Sequence, residues 1–265
     1  MSAHWSHEPS GERADEDVAV AIGSTLAIAD GVTRDPRPDG TYPRPSPAAM
    51  AATLFCSVLE EHHRDAPGLI FCAANSRIAE FNRESGLEAN RDVSANDLAG
   101  TVAALARAEP ADRVTWAYIG DAGAALVADD GTIVEQTPDD VDAARRHFPA
   151  GVSPHESRAI IRGELRNHPN CPPGGYGVLT GEASALKYMH EGVWAAGPSI
   201  GYLVFSDGFR PMLQSAEVRR ALAGALRGDR TRDDVIAACN AKRARSATSE
   251  RHEAIVVARR LGRGD

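Results

Sequence analysis

The chain has few cysteines, and their positions exclude two kinds of site. Cys56, Cys72, Cys171 and Cys239 are scattered along the 265 residues without a Cys-x-x-Cys pair. Structural zinc sites and disulfide frameworks both need closely and regularly spaced cysteines. The spacing therefore excludes a zinc cage and a disulfide scaffold, and we interpret these thiols as small, inert side chains.

Long hydrophobic runs are also absent. No apolar stretch reaches the roughly 18–20 residues that a membrane-spanning helix needs. The first residues, which include His4, Trp5, His7 and Glu8, lack the basic start and apolar core of a signal peptide. The sequence therefore predicts a cytoplasmic protein without a membrane partner.

Lysine is nearly missing, since Lys187 and Lys242 are the only two, and the formal net charge is −8. A protein that binds nucleic acid through its general surface is normally basic. Nucleic acid is thus excluded as a general partner, and the arginine-rich end of the chain is interpreted as a solvated face. Nothing in the sequence indicates an oligomeric state.

The composition that remains is typical of a soluble globular protein, with 43% apolar and 25% charged residues. The length fits one large domain. We predict a disordered N-terminus over residues 1–12 and a single α+β domain over residues 13–265. Helices are predicted over residues 48–63, preceded by the helix-start pair Ser46-Pro47, and over 69–86. Strands are predicted over residues 17–22, 24–31, 115–119, 124–129, 132–137 and 253–260, whereas residues 97–108 fit either a helix or a strand.

Two of the apolar runs end in the same way. Residues 24–31 finish in Asp30-Gly31, and the run within residues 201–209 stops at Ser206-Asp207-Gly208. Each reads as a buried strand that delivers a carboxylate to the rim of a sheet, where glycine lets the backbone turn sharply and leaves its carbonyl open. If the two strands lie side by side, Asp30 and Asp207 converge.

Carboxylates gathered at strand ends are suited to hard divalent cations, because Mg²⁺ and Mn²⁺ prefer oxygen ligands. Two such ions about 3.5–4 Å apart can activate a water and clamp a phosphoryl group. The alternative is that Asp-Gly pairs simply mark turns, as Asp39-Gly40 and Asp130-Gly131 are expected to do. The candidate ligands are Glu16, Asp17, Asp30, the Gly31 carbonyl, Asp121 and Asp207.

The order of the motifs resembles that of the metal-dependent type 2C protein phosphatase family. The resemblance depends on several short motifs that occur in the family's order over about residues 13–258. No single motif is decisive. The matching stretches are Glu16-Asp17 with Ala29-Asp30-Gly31, Ala74-Asn75 with Ile78, Gly100-Thr101, residues 118–124, residues 134–139 and residues 203–209.

The resemblance implies a four-layer α+β sandwich, in which two antiparallel sheets are flanked by helices, with two metals and room for a third at one end. It implies that Asp30 bridges both ions and that Gly31 ligates through its carbonyl. Glu16 and Asp17 would hold one ion mainly through waters, and Asp207 would bind the other. Asp121 would recruit the third. Arg13 is the candidate to bind the phosphate through a two-pronged contact. The alternative is that Arg13 is a surface residue without such a role.

Two departures from the family pattern bear on function. Where the family closes its site with an aspartate before the last strand, this chain has His252 or, with a shift of one residue, Glu253. Glutamate still suits a hard cation, whereas histidine shifts the preference toward Mn²⁺ or softer metals. Residues 150–200 match the family poorly, and the resemblance places them at the mouth of the site.

The leading hypothesis is a Mg²⁺- or Mn²⁺-dependent phosphomonoesterase in which a metal-activated water attacks phosphorus. The resemblance implies phosphoserine and phosphothreonine in proteins as substrates. Two alternatives stay open: a catalytically impaired relative that binds a phosphorylated partner, and a small-molecule phosphatase or other hydrolase of a biosynthetic pathway.

Overall fold

The computed structural model describes residues 3–5, 16–32, 46–87, 98–147, 151, 153, 156, 160–245 and 254–262. Within these residues, ten strands form two antiparallel sheets of five strands each. In chain order the strands are β1 (Ala3–Trp5), β2 (Asp17–Ile22), β3 (Thr25–Gly31), β4 (Thr101–Glu109), β5 (Arg113–Ile119), β6 (Gly123–Ala128), β7 (Ile133–Gln136), β8 (His190–Ala195), β9 (Ser199–Phe205) and β10 (Val256–Arg260).

The two sheets divide the chain in an order that does not follow the sequence. The first sheet has the order β1-β10-β9-β6-β7, and the second has the order β2-β3-β4-β5-β8. The strand β3, which contains Asp30, and the strand β9, which ends two residues before Asp207, therefore belong to different sheets. They are central or next to central in each, which explains why both are almost wholly buried.

The inner faces of the sheets share one apolar core. On β3, Leu26 and Ile28 point into it, and on β9, Tyr202 and Val204 do so. The Tyr202 hydroxyl also donates to the backbone oxygen of Ser24 at 2.6 Å, which ties the two sheets together. Because alternate residues of a strand face opposite ways, the remaining side chains of β3 and β9 pack against the outer layers.

Helices cover both outer faces of the sandwich. In chain order they are α1 (Pro47–His62), α2 (Pro67–Glu84), α3 (Asp140–Arg145), α4 (Ala216–Arg227) and α5 (Arg232–Ala244), with a π-helical turn at Ile161–Leu165 and 3-10 segments at Ala183–Tyr188 and Asp207–Gln214. The helices α1 and α2 cover the second sheet, and α4 and α5 cover the first. The predicted four-layer α+β sandwich is confirmed.

Local sequence signals explain where the helices begin and end. Ser46 caps α1 by accepting from the Ala49 amide at 3.4 Å, and Pro47 occupies the first turn. Thr231 and Asp234 form a reciprocal capping box at the start of α5. Gly228 ends α4 with φ +91°, a left-handed conformation that glycine adopts without strain. No helix in the described ranges is long and apolar enough to cross a membrane.

Most predicted elements are present, with three differences. The ambiguous stretch 97–108 contributes the strand β4, and β8 lies in a region for which no strand was predicted. Residues 3–5, within the segment expected to be disordered, form β1 and pair antiparallel with β10. The division into a tail and a single domain stays a prediction.

Candidate functional site

Asp30 lies at the end of β3 and faces Asp17, its direct partner on β2. The Thr101 hydroxyl donates to the Asp30 backbone oxygen at 2.8 Å and fixes the end of the strand. Burial raises the pKa of the Asp30 carboxyl well above its usual value, and the carboxylates of Asp17, Asp207 and Asp121 raise this pKa further. Four acidic side chains from separate segments therefore converge at one end of the sandwich.

Asp207 reaches this cluster from the opposite sheet. The preceding residue, Ser206, is fully buried and exchanges two hydrogen bonds with Ile255: its amide donates to the Ile255 oxygen at 3.1 Å, and its hydroxyl accepts from the Ile255 amide at 3.0 Å. This pairing fixes the end of β9. The sequence predicts that Asp30 and Asp207 converge if the strands that precede them lie side by side. Instead the strands face each other across the sandwich, and their carboxylates still converge.

Asp121 lies in the turn between β5 and β6. Gly120 precedes it with φ +80°, and a Cβ atom there would lie 2.3 Å from Val102 Cγ1, so glycine is required for both conformation and space. Burial raises the pKa of Asp121 to about 8, together with the carboxylates of Asp207 and Asp139. The turn therefore adds a fourth acidic segment to those of Asp17, Asp30 and Asp207.

Glu16 precedes Asp17 but occupies a different position. Its side chain is 5% exposed, and its Oε1 accepts a hydrogen bond from the hydroxyl of Ser46, the residue that caps α1. The N-terminus of a helix carries a partial positive charge that stabilises a nearby carboxylate. Glu16 thus connects the start of β2 to the start of α1, a contact that the spacing of the two residues did not predict.

Gly31 is glycine for a reason other than the expected sharp turn. It continues β3 opposite Thr101, and its amide donates to the Glu16 oxygen at 3.1 Å. A Cβ atom there would lie 2.8 Å from the carbonyl carbon of Ala48 and 2.9 Å from the Glu16 oxygen. The backbone of α1 and the residue just before β2 approach this position too closely for any side chain.

Residues from the region 150–200, which matches the type 2C family pattern poorly, lie at the same end of the sandwich as the aspartate cluster. Leu179 exchanges two backbone hydrogen bonds with Thr101, the residue that fixes Asp30. Asn167 donates from Nδ2 to the Val178 oxygen at 2.9 Å and to Glu182 Oε2 at 2.7 Å, while the Asn75 side chain of α2 accepts from the Gly181 amide at 2.9 Å. A buried polar network therefore anchors residues 176–182 beside the cluster.

The donor set was tested for its fit to a divalent cation. In the described part of the chain, no three histidine, cysteine, aspartate or glutamate side chains are arranged as a ready-made metal cage. The donors nevertheless have the right chemistry, because Asp17, Asp30, Asp121 and Asp207 offer only oxygens and each keeps part of its surface accessible. Burial and the repulsion among these carboxylates both raise the pKa of Asp30, and a bound cation offsets both effects.

Three predicted site residues, Arg13, His252 and Glu253, lie outside the described residues. Ala254, the first described residue after them, is fully buried, and Ile255 pairs with Ser206. The described chain therefore resumes next to Ser206, the residue that precedes Asp207. The roles of Arg13, His252 and Glu253 stay predictions.

The arrangement was compared with known proteins. No protein-family model and no curated protein sequence matches the chain. Among solved structures, the catalytic domain of the serine threonine protein phosphatase PstP, in complex with two manganese ions, has a TM-score of 0.62 and 19% identity, covering 99% of this chain and 98% of that one. The serine/threonine phosphatase Stp1 from Staphylococcus aureus has a TM-score of 0.64 and 12% identity, covering 98% and 94%.

The chain has the fold of bacterial serine/threonine phosphatases. A third similar structure, PppA, described as a key regulatory component of T6SS in Pseudomonas aeruginosa, has a TM-score of 0.60 and 15% identity, covering 98% of this chain and 97% of that one. The matches cover almost the whole chain, so the type 2C resemblance is confirmed as a likeness of fold. The sequence did not predict the contacts of Ser46 with Glu16, of Ser206 with Ile255, or of Arg210 with the Asp121 backbone oxygen. Ser46 precedes a helix, Ser206 precedes Asp207, and Arg210 lies three residues after Asp207, but each contact is long-range.

Proposed function

We propose that the chain is a Mg²⁺- or Mn²⁺-dependent phosphatase that hydrolyses phosphoserine and phosphothreonine in cytoplasmic proteins. The observation that carries the proposal is the convergence of Asp17, Asp121 and Asp207 on Asp30, whose pKa is raised by burial and, beyond that, by these three carboxylates. A phosphatase fold and a manganese-bound structure of similar fold support it. Buried carboxylates that repel one another are costly unless a cation neutralises them.

The residues have distinct proposed roles. Asp30 and Asp207 would hold two ions together with the Gly31 carbonyl, Glu16 and Asp17 would contribute mainly through waters, and Asp121 would hold a third, weaker ion. His252 or Glu253 would complete the shell, and Arg13 would grip the phosphate. When bound, such ions lower the pKa of a water and neutralise the oxygens of a phosphoryl group.

The chain's own contribution is to hold these oxygens in place before substrate arrives. Thr101 fixes the backbone of Asp30, Ser206 fixes the strand end before Asp207, and Ser46 orients Glu16. Preorganised groups stabilise developing charge without reorganising during the reaction. The partial exposure of the four aspartates leaves the cluster open to a phosphate carried by another protein.

The proposal predicts metal-dependent turnover of p-nitrophenyl phosphate that depends on Asp207. We expect activity with Mn²⁺, none with excess chelator, and a loss of about 10²–10³-fold in kcat/KM for Asp207→Asn, because an amide is a weaker ligand for a hard cation. Asp229→Asn makes the same chemical change at an exposed surface turn and should leave kcat/KM unchanged.

The assay also separates the alternatives. A wild-type protein that binds phosphopeptides but does not turn over p-nitrophenyl phosphate at any Mn²⁺ concentration would be the impaired binding module. Turnover of small phosphomonoesters but not of phosphoserine or phosphothreonine peptides would indicate a small-molecule phosphatase. Activity that survives excess chelator would contradict the metal-dependent proposal outright.

A further inference from the structure

Arg210 lies three residues after Asp207, in the 3-10 segment that follows β9, and its side chain is only 14% exposed. Its guanidinium donates to three backbone oxygens that belong to two other segments. Nη1 donates to the Thr137 oxygen at 3.0 Å, and Nη2 donates to the oxygens of Asp121 at 3.0 Å and Pro138 at 3.1 Å. One side chain thus connects the segment of Asp207 to the turn of Asp121.

The surroundings of this guanidinium are shaped to accept it. It lies 5.0 Å above the centre of the Phe205 ring, and its Nε forms an ion pair with Asp139 Oδ2 at 3.5 Å. A Cβ atom at Gly123 would lie 2.8 Å from Arg210 Nη2 and 2.6 Å from Phe205 Cζ. The missing side chain at Gly123 therefore provides the space in which the arginine reaches the turn.

The segment that follows β7 is held by the same contacts. The Asp140 amide donates to the Gly120 oxygen at 3.2 Å, and the Thr137 hydroxyl accepts from the Ala124 amide at 3.0 Å. Residues 137–140 and the Asp121 turn therefore form one hydrogen-bonded unit. The Arg210 side chain joins this unit to the 3-10 segment that begins with Asp207.

We propose that Arg210 is a positioning residue that sets the placement of Asp121 relative to Asp207 and Asp30, and so the affinity of the cluster for a divalent cation. This inference rests on the proposed function. Arg210 donates to backbone oxygens and pairs with Asp139, so it acts through the turn and does not itself contact the cation. A planar fork of five N–H groups can bind several carbonyls at once, whereas lysine presents a single point charge on a flexible stem.

The test measures Mn²⁺ binding directly, by isothermal titration calorimetry on the full chain. We expect Arg210→Met to weaken Mn²⁺ binding by about 10-fold or more, the range found when partners outside the ligand shell are removed. Arg210→Lys should show a smaller loss. The matched control is Arg219→Met, because Arg219 also donates to a backbone oxygen, that of Leu213 at 2.8 Å, but lies on α4. Its Mn²⁺ affinity should equal that of the wild type.

A second readout separates positioning from simple stabilisation. Amide hydrogen exchange should be faster in Arg210→Met across residues 118–124 and 136–142, and unchanged there in Arg219→Met. A variant with a lower melting temperature but wild-type Mn²⁺ affinity would overturn the proposal. If Arg210→Met does not fold, the Mn²⁺ affinity of Arg210→Lys provides the test. An affinity equal to that of the wild type would overturn the proposal, and weaker binding would support it. A wild type that binds no Mn²⁺ would overturn the proposed function as well.

Discussion

Replacing Asp30 by asparagine is expected to abolish phosphatase turnover while making the metal-free fold more stable. The proposed role in both metal positions makes the loss large, at least about 10³-fold in kcat, which corresponds to about 4 kcal/mol of transition-state stabilisation. The stability should rise because burial, and then the carboxylates of Asp17, Asp207 and Asp121, raise the pKa of Asp30, so its ionised form is costly without a cation. Asparagine keeps the shape of the side chain and removes this repulsion.

The two effects of Asp30→Asn need separate measurements. Turnover of p-nitrophenyl phosphate with Mn²⁺ gives the first, and chemical unfolding in excess chelator gives the second, with an expected gain of about 1 kcal/mol. The exposed variant Asp229→Asn serves as the control in both. Retained turnover in Asp30→Asn would refute the role of this residue, and a loss of stability would show that its carboxylate makes a favourable contact in the metal-free protein.

Replacing Gly31 by alanine is expected to disturb the fold and the site together. The new Cβ atom would lie within 2.9 Å of backbone atoms of both Ala48 and Glu16. Backbone atoms cannot move aside as a flexible side chain can, so the start of α1 and the end of β3 must separate. Overpacking of this kind costs about 1–3 kcal/mol. A displacement of about 1 Å next to reacting groups lowers activity by about 10²-fold.

The matched control for Gly31→Ala is Gly68→Ala in the first turn of α2. A Cβ atom there would first meet Glu191 Oε2, the end of a flexible side chain, at 3.3 Å. Alanine also favours helix more than glycine does, so this variant should unfold at the wild-type temperature or slightly higher. Thermal unfolding and the phosphatase assay on both variants provide the comparison. Equal stability and activity of Gly31→Ala and the wild type would show that the close approach has no consequence.

Part of the site could be predicted from sequence because its elements carry local signals. The apolar runs before Asp30 and Asp207 indicated strands that deliver a carboxylate, and Ser46-Pro47 indicated the start of α1. Strand periodicity and helix capping are properties of a few adjacent residues, so one sequence is enough to detect them. The ordered motifs then predicted the sandwich architecture.

The remaining features depend on how distant segments meet. The sequence makes the convergence of Asp30 and Asp207 conditional on neighbouring strands, whereas β3 and β9 lie in opposite sheets. Local periodicity cannot distinguish the two arrangements. The strand β8 forms one edge of the second sheet. It is short and largely exposed, so its sequence lacks a strong apolar pattern. The contact of Arg210 with the Asp121 turn spans 89 residues and has no local signature.

The central claim is that carboxylates from both sheets bind a shared pair of divalent cations. Anomalous diffraction from a crystal grown with Mn²⁺ tests this most directly, because the anomalous signal of manganese distinguishes the ion from water and from lighter ions. The account predicts two peaks about 3.5–4 Å apart, with oxygens of Asp30 and Asp207 at about 2.0–2.6 Å from them. A map in which manganese binds elsewhere and no peak lies within ligand distance of either aspartate would contradict the account.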